Sequence, residues 1–282
     1  MAGLYADRAE PQEALKWCDK ALAIDPKNIS AKWQKALALL TMKRWDEGWE
    51  LYESRQQLET WDNRKTLECP TWDGSDVNHL YIHGEQGVGD EIMFASNLPL
   101  VTNAKRVTIE VNDKVVSIIK ATYPHWNVIT KEEQGDYDAK IPIGSLCNLY
   151  KKFNNAAYLK PDPERVKFYR QELEKLGNAP YVALTWLGGL KSTRVEDRSI
   201  SVKALKPIMD AFTCVSAQYN SNPMVEQERV EAGLHKINDE CVGGDLGEQA
   251  ALFAACDAVV TVQQTAVHVA GAVGAKTYAM IG

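Results

Sequence analysis

The sequence predicts an α/β protein with two Rossmann-like units, preceded by a purely helical segment. Three observations carry this. Beyond residue 78, short apolar runs alternate with helical stretches, as parallel strands covered by helices on both faces would. Pro161-Asp162-Pro163 breaks that alternation into two series. The first sixty residues read differently, as helices alone. The expected divisions are 1–60, 61–160 and 161–282, in keeping with a chain of 282 residues. Two such units face a cleft, with ligands outside the carboxyl ends of the strands.

Composition narrows the function classes. Hydrophobic residues make up 45% and charged residues 25%, which excludes wholesale disorder, a collagen-like fibre or a simple coiled coil. Lys plus Arg is 32 and Asp plus Glu is 38, a net charge of −6, which argues against nucleic acid as the main partner. The most apolar stretch, 250–262, carries Asp257 and falls short of the roughly 18 residues a membrane span needs. The start, MAGLYADRAEPQEALKW, has no basic patch followed by an apolar run, so no secretory signal is expected. Cys18, Cys69, Cys147, Cys214, Cys241 and Cys256 are scattered with no C-x-x-C, the usage of a reducing, cytoplasmic location without a zinc site.

In the helical segment, a shift of 34 residues carries Ala2 to Ala36, Tyr5 to Leu39, Ala14 to Gly48 and Cys18 to Tyr52. With Ala14, Ala21 and Pro26 in EALKWCDKALAIDPKN, the segment resembles tetratricopeptide repeats, one copy partial and one fairly complete. The alternative is an ordinary helical hairpin. About three repeats are normally needed for stability, so either upstream repeats precede these or the helices pack on the next unit. Residues 60–78, with Pro70 and Asp73-Gly74, read as a linker or edge segment.

Strands are expected at His79–His83, Val107–Val111, Trp126–Ile129 and Ala139–Ile143, with helices at Glu91–Leu100 and Lys114–Tyr123. The second series has strands at Tyr181–Trp186, Thr213–Ala217, Leu234–Ile237, Ala258–Val262 and Thr277–Ile281. Its helices lie near Glu164–Leu176, Lys203–Ala211, Pro223–Ala232, Glu248–Ala255 and Thr265–Val273. The sequence closes at Met280-Ile281-Gly282, directly after an apolar strand, so the second unit is expected to continue further.

Three stretches can carry chemistry. The first is His83-Gly84-Glu85-Gln86-Gly87-Val88-Gly89-Asp90-Glu91, between a strand and a helix. Gly84, Gly87 and Gly89 permit close approach to the backbone, but the order G-x-x-G-x-G is wrong for a dinucleotide fingerprint. The acids would repel a phosphate. They read either as helix caps or as a carboxylate on the cleft floor that takes a proton from a hydroxyl. The second runs from Thr185 through Trp186-Leu187-Gly188-Gly189 to Lys191, Arg194 and Arg198. Three cations beyond a strand end suit a diphosphate, and the alternative is a solvated charged loop. The third, Asp257 to Gly274, is a strand, a polar turn at Gln263-Gln264-Thr265, and a helix of small residues carrying His268. Its free N–H groups would meet an anion, while His268 alone reads as structural. Asp136-Tyr137-Asp138 reads as a surface turn rather than a metal site. P-loop, H-E-x-x-H and G-x-S-x-G motifs are missing, against a P-loop ATPase, a zincin and an α/β hydrolase.

In order, Thr71-Trp72-Asp73-Gly74, Glu85 to Glu91, Gly144-Ser145-Leu146, Trp186-Leu187-Gly188-Gly189 with Arg198-Ser199, Val215-Ser216-Ala217-Gln218-Tyr219, and Thr265 to Gly274 span nearly the whole sequence. Together they resemble bacterial tetratricopeptide-repeat proteins with a heptosyltransferase-type glycosyltransferase domain of the GT-B fold. The resemblance implies a nucleotide-sugar co-substrate, an acceptor hydroxyl, inversion, and neither metal nor cofactor. It implies an acceptor unit first and a donor unit second. Asp90 is then the general base, with Glu85, Gln86, Gly87 and Gly89 in the acceptor loop. Trp186, Gly188, Gly189, Lys191, Arg194, Arg198, Gln218, Gln263, Gln264, Thr265 and His268 lie on the donor side. The helical repeats would take a protein partner. The family usually has an acid at the position of Gln263, so a heptose donor is not implied. The rival class is a non-catalytic binding protein, and a nucleotide-cofactor oxidoreductase ranks below both because of the glycine order.

Overall fold

The structure is a computed structural model and describes residues 10–58, 67–151, 156–188, 195–219, 222–238 and 244–281. Three helices open it: α1 (Pro11–Ile24), α2 (Ile29–Thr41) and α3 (Trp45–Tyr52), the last running into a 3-10 turn at Glu53–Gln57. Pro11 starts α1 where its missing N–H costs nothing, and the Asn28 side chain caps α2 by accepting the Ala31 N–H at 2.9 Å. Ala14, Cys18, Ala36, Leu39, Gly48 and Tyr52 are all buried, as the 34-residue register requires; any pair of tightly packed helices would need the same. At Gly48 a Cβ would stand 2.7 Å from Leu40 Cδ2 and 3.2 Å from the Leu40 backbone nitrogen, so only glycine lets α3 come this close to α2. Ala2 and Tyr5 lie outside the described residues.

The helices pack on the first α/β unit. Trp49 and Tyr52 set their rings against Phe94, with centroids 6.4 and 6.1 Å apart, within one continuous hydrophobic core. That unit has a parallel sheet in the order β3-β2-β1-β4, from β1 (Val77–His83), β2 (Ala104–Glu110), β3 (Asn127–Ile129) and β4 (Ala139–Pro142). Trp72 extends its edge, donating its backbone N–H to Lys140 O at 2.8 Å. The helices are α4 (Val88–Phe94), α5 (Val116–Thr122) and α6 (Ser145–Tyr150).

The second unit begins with α7 (Pro163–Leu176), capped by Asp162. Its parallel sheet has the order β6-β5-β7-β8, from β5 (Tyr181–Leu184), β6 (Thr213–Ser216), β7 (Ala258–Val262) and β8 (Thr277–Met280). Around it lie α8 (Lys206–Ala211), α9 (Pro223–Glu231), α10 (Leu246–Ala255) and α11 (Thr265–Ala272). Each sheet reverses its strand order beside its first strand, between β1 and β4 and between β5 and β7. Those reversals open crevices at the carboxyl ends of β1, β5 and β7.

Two expectations need correction, and one helix was not expected. Leu234–Ile237 is not a strand: it makes one bridge, His235 to Val215, and then leaves the sheet. Lys236 is drawn to Glu226 at 3.2 Å, and Asn238 Nδ2 donates to Tyr169 OH at 3.1 Å, which pulls the segment towards α9 and α7. The helix expected at Glu91–Leu100 starts earlier, at Val88, and becomes a 3-10 helix over Ala95–Leu100. Pro99 is the reason, since its ring clashes with the carbonyl four residues back. Helix α6 had no counterpart among the expected elements.

Candidate functional site

A cavity of about 990 Å³ lies between the two units, at the carboxyl ends of their strands. Three helix starts line it: Gly87–Asp90 at α4, Asp245, Leu246 and Gln249 at α10, and Gln264–His268 at α11. Each start presents N–H groups without intrahelical partners and the positive end of a helix dipole. Two of the three carry a carboxylate cap. Asp90 Oδ2 accepts the Gly87 N–H at 3.0 Å, and Asp245 Oδ1 accepts the Gly247 N–H at 2.7 Å. The third differs: Gln264 makes no capping bond at α11, and its side-chain NH2 is buried with no hydrogen-bond partner among the described residues. Arg198 reinforces this end, donating from Nη1 to Gln263 O at 3.0 Å.

Gly89 is where the two units meet. A Cβ there would stand 3.2 Å from Thr265 Oγ1 and 3.5 Å from His268 Cδ2, so glycine lets the starts of α4 and α11 touch. Asp90 and His268 are both half-buried on the cavity wall. Burial pushes the Asp90 carboxyl above its ordinary value; the Gly87 N–H and His268 hold it down, and the charge of Glu85 adds to the rise. Burial holds the His268 imidazole below its ordinary value, with Asp90 acting against that. A carboxylate held above its ordinary value thus stands near an imidazole held below its own, at a contact between units.

Lys114, at the carboxyl end of β2, reaches across to the second unit. Its Nζ lies 2.9 Å from Tyr219 OH and 4.1 Å from the ring centroid. Ser117 meets Asp245 beside it. These contacts flank the cavity on one side.

Of the residues singled out in the sequence, Gly87, Gly89, Asp90, Gly188, Arg198, Gln263, Gln264, Thr265 and His268 come together on this wall. Four do not. Glu85 turns away into a buried fork with Arg55, Nε to Oε2 at 2.8 Å and Nη2 to Oε1 at 2.7 Å, and also accepts the Gly144 N–H at 2.7 Å. Gln86 donates to Tyr52 OH at 2.7 Å. Gln218 lies beneath the loop after β5, where its Oε1 accepts the N–H groups of Trp186 and Leu187 at 2.8 and 2.9 Å. Trp186 is fully buried beside a void of about 20 Å³. Gln218 and Trp186 therefore shape the wall from behind. Gly189, Lys191 and Arg194 lie outside the described residues. Asp136 and Asp138 stay on the edge of the first sheet, where Asp136 pairs with Arg106 at 3.1 Å and Asp138 accepts the Asn78 N–H at 2.7 Å.

The sequence alone gave no site role to Lys114, Tyr219, Asp245 or Gln249, all on the wall. A signal existed for two of them: Lys114 follows a strand's carboxyl end, and Asp245 follows a glycine pair before a helix.

No protein-family model matches the chain. Protein FlbA of Caulobacter vibrioides is 29% identical over 315 aligned positions, covering 98% of this chain and 52% of that protein. The chain thus spans about half the length of this curated relative. Among solved structures, ADP-heptose lipopolysaccharide heptosyltransferase II of Escherichia coli matches with a TM-score of 0.50 and 14% identity, over 73% of this chain and 85% of that one. A glycosyl transferase of family 9 from Veillonella parvula matches with a TM-score of 0.56 and 10% identity, over 73% and 82%. At these identities the likeness is one of fold: two parallel α/β units arranged as in these glycosyltransferases.

Proposed function

We propose that the chain is a glycosyltransferase that moves a sugar from a nucleotide-sugar to an acceptor hydroxyl, with inversion and without a metal. One observation carries the reading. A basic carboxylate from the first unit, Asp90, shares a cavity with the uncapped start of α11 and Arg198 from the second. The cavity's volume suits a ligand of nucleotide-sugar size. In the reaction, the acceptor oxygen attacks the anomeric carbon as the bond to the diphosphate oxygen breaks. Asp90 takes the hydroxyl proton. The α11 N–H groups, the Gln264 amide and Arg198 stabilise the charge that develops on the departing diphosphate.

The finer assignments belong to the same proposal. The helical segment is tetratricopeptide-repeat-like and serves a protein partner; the first α/β unit takes the acceptor and the second the donor. The test is release of nucleoside diphosphate from a panel of nucleotide-sugars without acceptor, alongside thermal stabilisation of the chain. A ligand at a hundredfold its Kd adds about 2.7 kcal/mol. The reading expects slow hydrolysis of one donor, lost in Asp90→Asn. Binding without turnover would favour the second reading, a sugar-nucleotide binding protein, to which the Gln263 amide points. No binding to any donor would defeat both.

A further inference from the structure

The described helices are not a separate attachment. Their last turn reaches into the loop that precedes Asp90, and two consecutive loop residues are held by it. Glu85 is gripped by Arg55 in a two-point fork, with Arg55 1% exposed and the Glu85 side chain 2% exposed. Gln86 sits at φ 62°, a left-handed conformation uncommon for a residue with a side chain, and its amide is tied to Tyr52 OH. The next residue, Gly87, is the N-cap whose N–H meets the Asp90 carboxylate. Arg55 also donates to Ser145 Oγ at 2.9 Å and lies over the Tyr52 ring, 4.7 Å from its centroid. The far side of the grip is therefore fixed by the loop after β4.

We propose that Tyr52 and Arg55 are positioning residues for Asp90, acting through Glu85 and Gln86 so that the helical segment sets where the carboxylate stands in the cavity. This rests on the reading of Asp90 as the base. Neither residue lines the cavity, so neither touches substrate. Their lever is geometric: α4 starts where Gly87 stands, and Gly87 stands where the two held residues leave it. It is also electrostatic. The charge of Glu85 acts on Asp90, and the Arg55 guanidinium is the counter-charge that holds Glu85. A partner that disturbed the last helical turn would thereby reach the site, which a flexible tether could not do.

The test needs no nucleotide, so its failure and failure of the transfer reading are separate results. The imidazole C–H signals of His268 are followed by NMR from pH 5 to 8 on the full chain, and assigned with His268→Gln. Of the charged groups Asp90, Lys114, Arg198 and Asp245 on the cavity wall, only Asp90 sits on the helix that the gripped loop leads into. Asp90→Asn sets the full scale, because removing the carboxylate lowers the His268 midpoint. Tyr52→Phe removes only the oxygen that accepts from Gln86, and Arg55→Lys keeps the charge but loses the fork. Both are expected to lower the midpoint towards the Asp90→Asn value. The control Leu39→Ala, in the core of the helices, is expected to lower Tm and leave the midpoint at the wild-type value. Once a donor is found, the two variants should lose kcat with little change in the donor KM. Wild-type midpoints in Tyr52→Phe and Arg55→Lys would overturn the proposal, as would an equal shift in Leu39→Ala. Should Arg55→Lys not fold, Tyr52→Phe decides alone.

Discussion

Removing Arg55 should harm the fold more than removing its partner. Arg55→Met leaves the Glu85 carboxyl buried without its guanidinium counter-charge, with the Gly144 N–H at 2.7 Å as its one remaining bond among those described above. An uncompensated buried charge of this kind costs about 3–5 kcal/mol. For a chain of this size, at about 2–4 °C per kcal/mol, Tm falls by roughly 6–20 °C. Glu85→Gln is milder. Arg55 keeps a second carboxylate, Glu53 Oε1 at 3.0 Å, and the carbonyl of Tyr52 at 3.2 Å. The amide oxygen at position 85 still accepts from Gly144, so the loss is about 1–3 kcal/mol. The double variant Arg55→Met/Glu85→Gln is then expected to be more stable than Arg55→Met alone, by more than about 1 kcal/mol, because the second change removes the stranded charge. Urea unfolding at pH 7, followed by circular dichroism for all four proteins, gives the coupling directly. Losses that simply add, within about 0.5 kcal/mol, would show that the two side chains do not depend on each other and would refute the reasoning.

Gly89→Ala places a methyl 3.2 Å from Thr265 Oγ1, so the starts of α4 and α11 must part slightly. Calorimetry should show weaker nucleoside diphosphate binding, with Tm falling modestly, and unchanged affinity would count against the contact as part of the site. Asp90→Asn should be more stable than the parent at pH 7, since burial disfavours the carboxylate there and the amide keeps the cap on Gly87. A more stable chain that has lost donor hydrolysis is the signature of a group held for chemistry rather than for folding. The His268 imidazole, lower than its unfolded value of 6.5, contributes stability above that pH and loses it as pH falls through the folded value. In His268→Gln that part of the acid-side decline in Tm should disappear, and an identical pH profile would remove His268 from the account.

What the sequence made legible follows from what is local. Strand–helix alternation places the loops after β1, β5 and β7, and those loops hold Gly89, Asp90, Gly188, Arg198 and Gln263–His268, which the fold brings to one wall. A glycine before a helix and a polar turn after an apolar strand are short-range signals. The misses are long-range. Glu85 looks like a cleft carboxylate because nothing within ten residues neutralises it; its partner Arg55 lies thirty residues upstream, on a different kind of structure. Gln218 and Trp186 follow strand ends like the true wall residues, yet one is fastened to the other's backbone and both lie beneath the loop. Lys114 and Tyr219 are unremarkable apart and meet only because the units close on each other.

This difference has a physical consequence for how such a site is built. Many of the residues that face the cavity sit at helix starts, where backbone N–H groups lack intrahelical partners whatever the rest of the chain does. The distance between those starts is another matter. It depends on Gly89 admitting Thr265, on Lys114 reaching Tyr219, and on Arg55 holding Glu85, none of which a local pattern encodes. A sequence can therefore keep every wall residue and still lose the proposed chemistry, if it loses the contacts that bring a carboxylate from one unit to the bare helix end of the other.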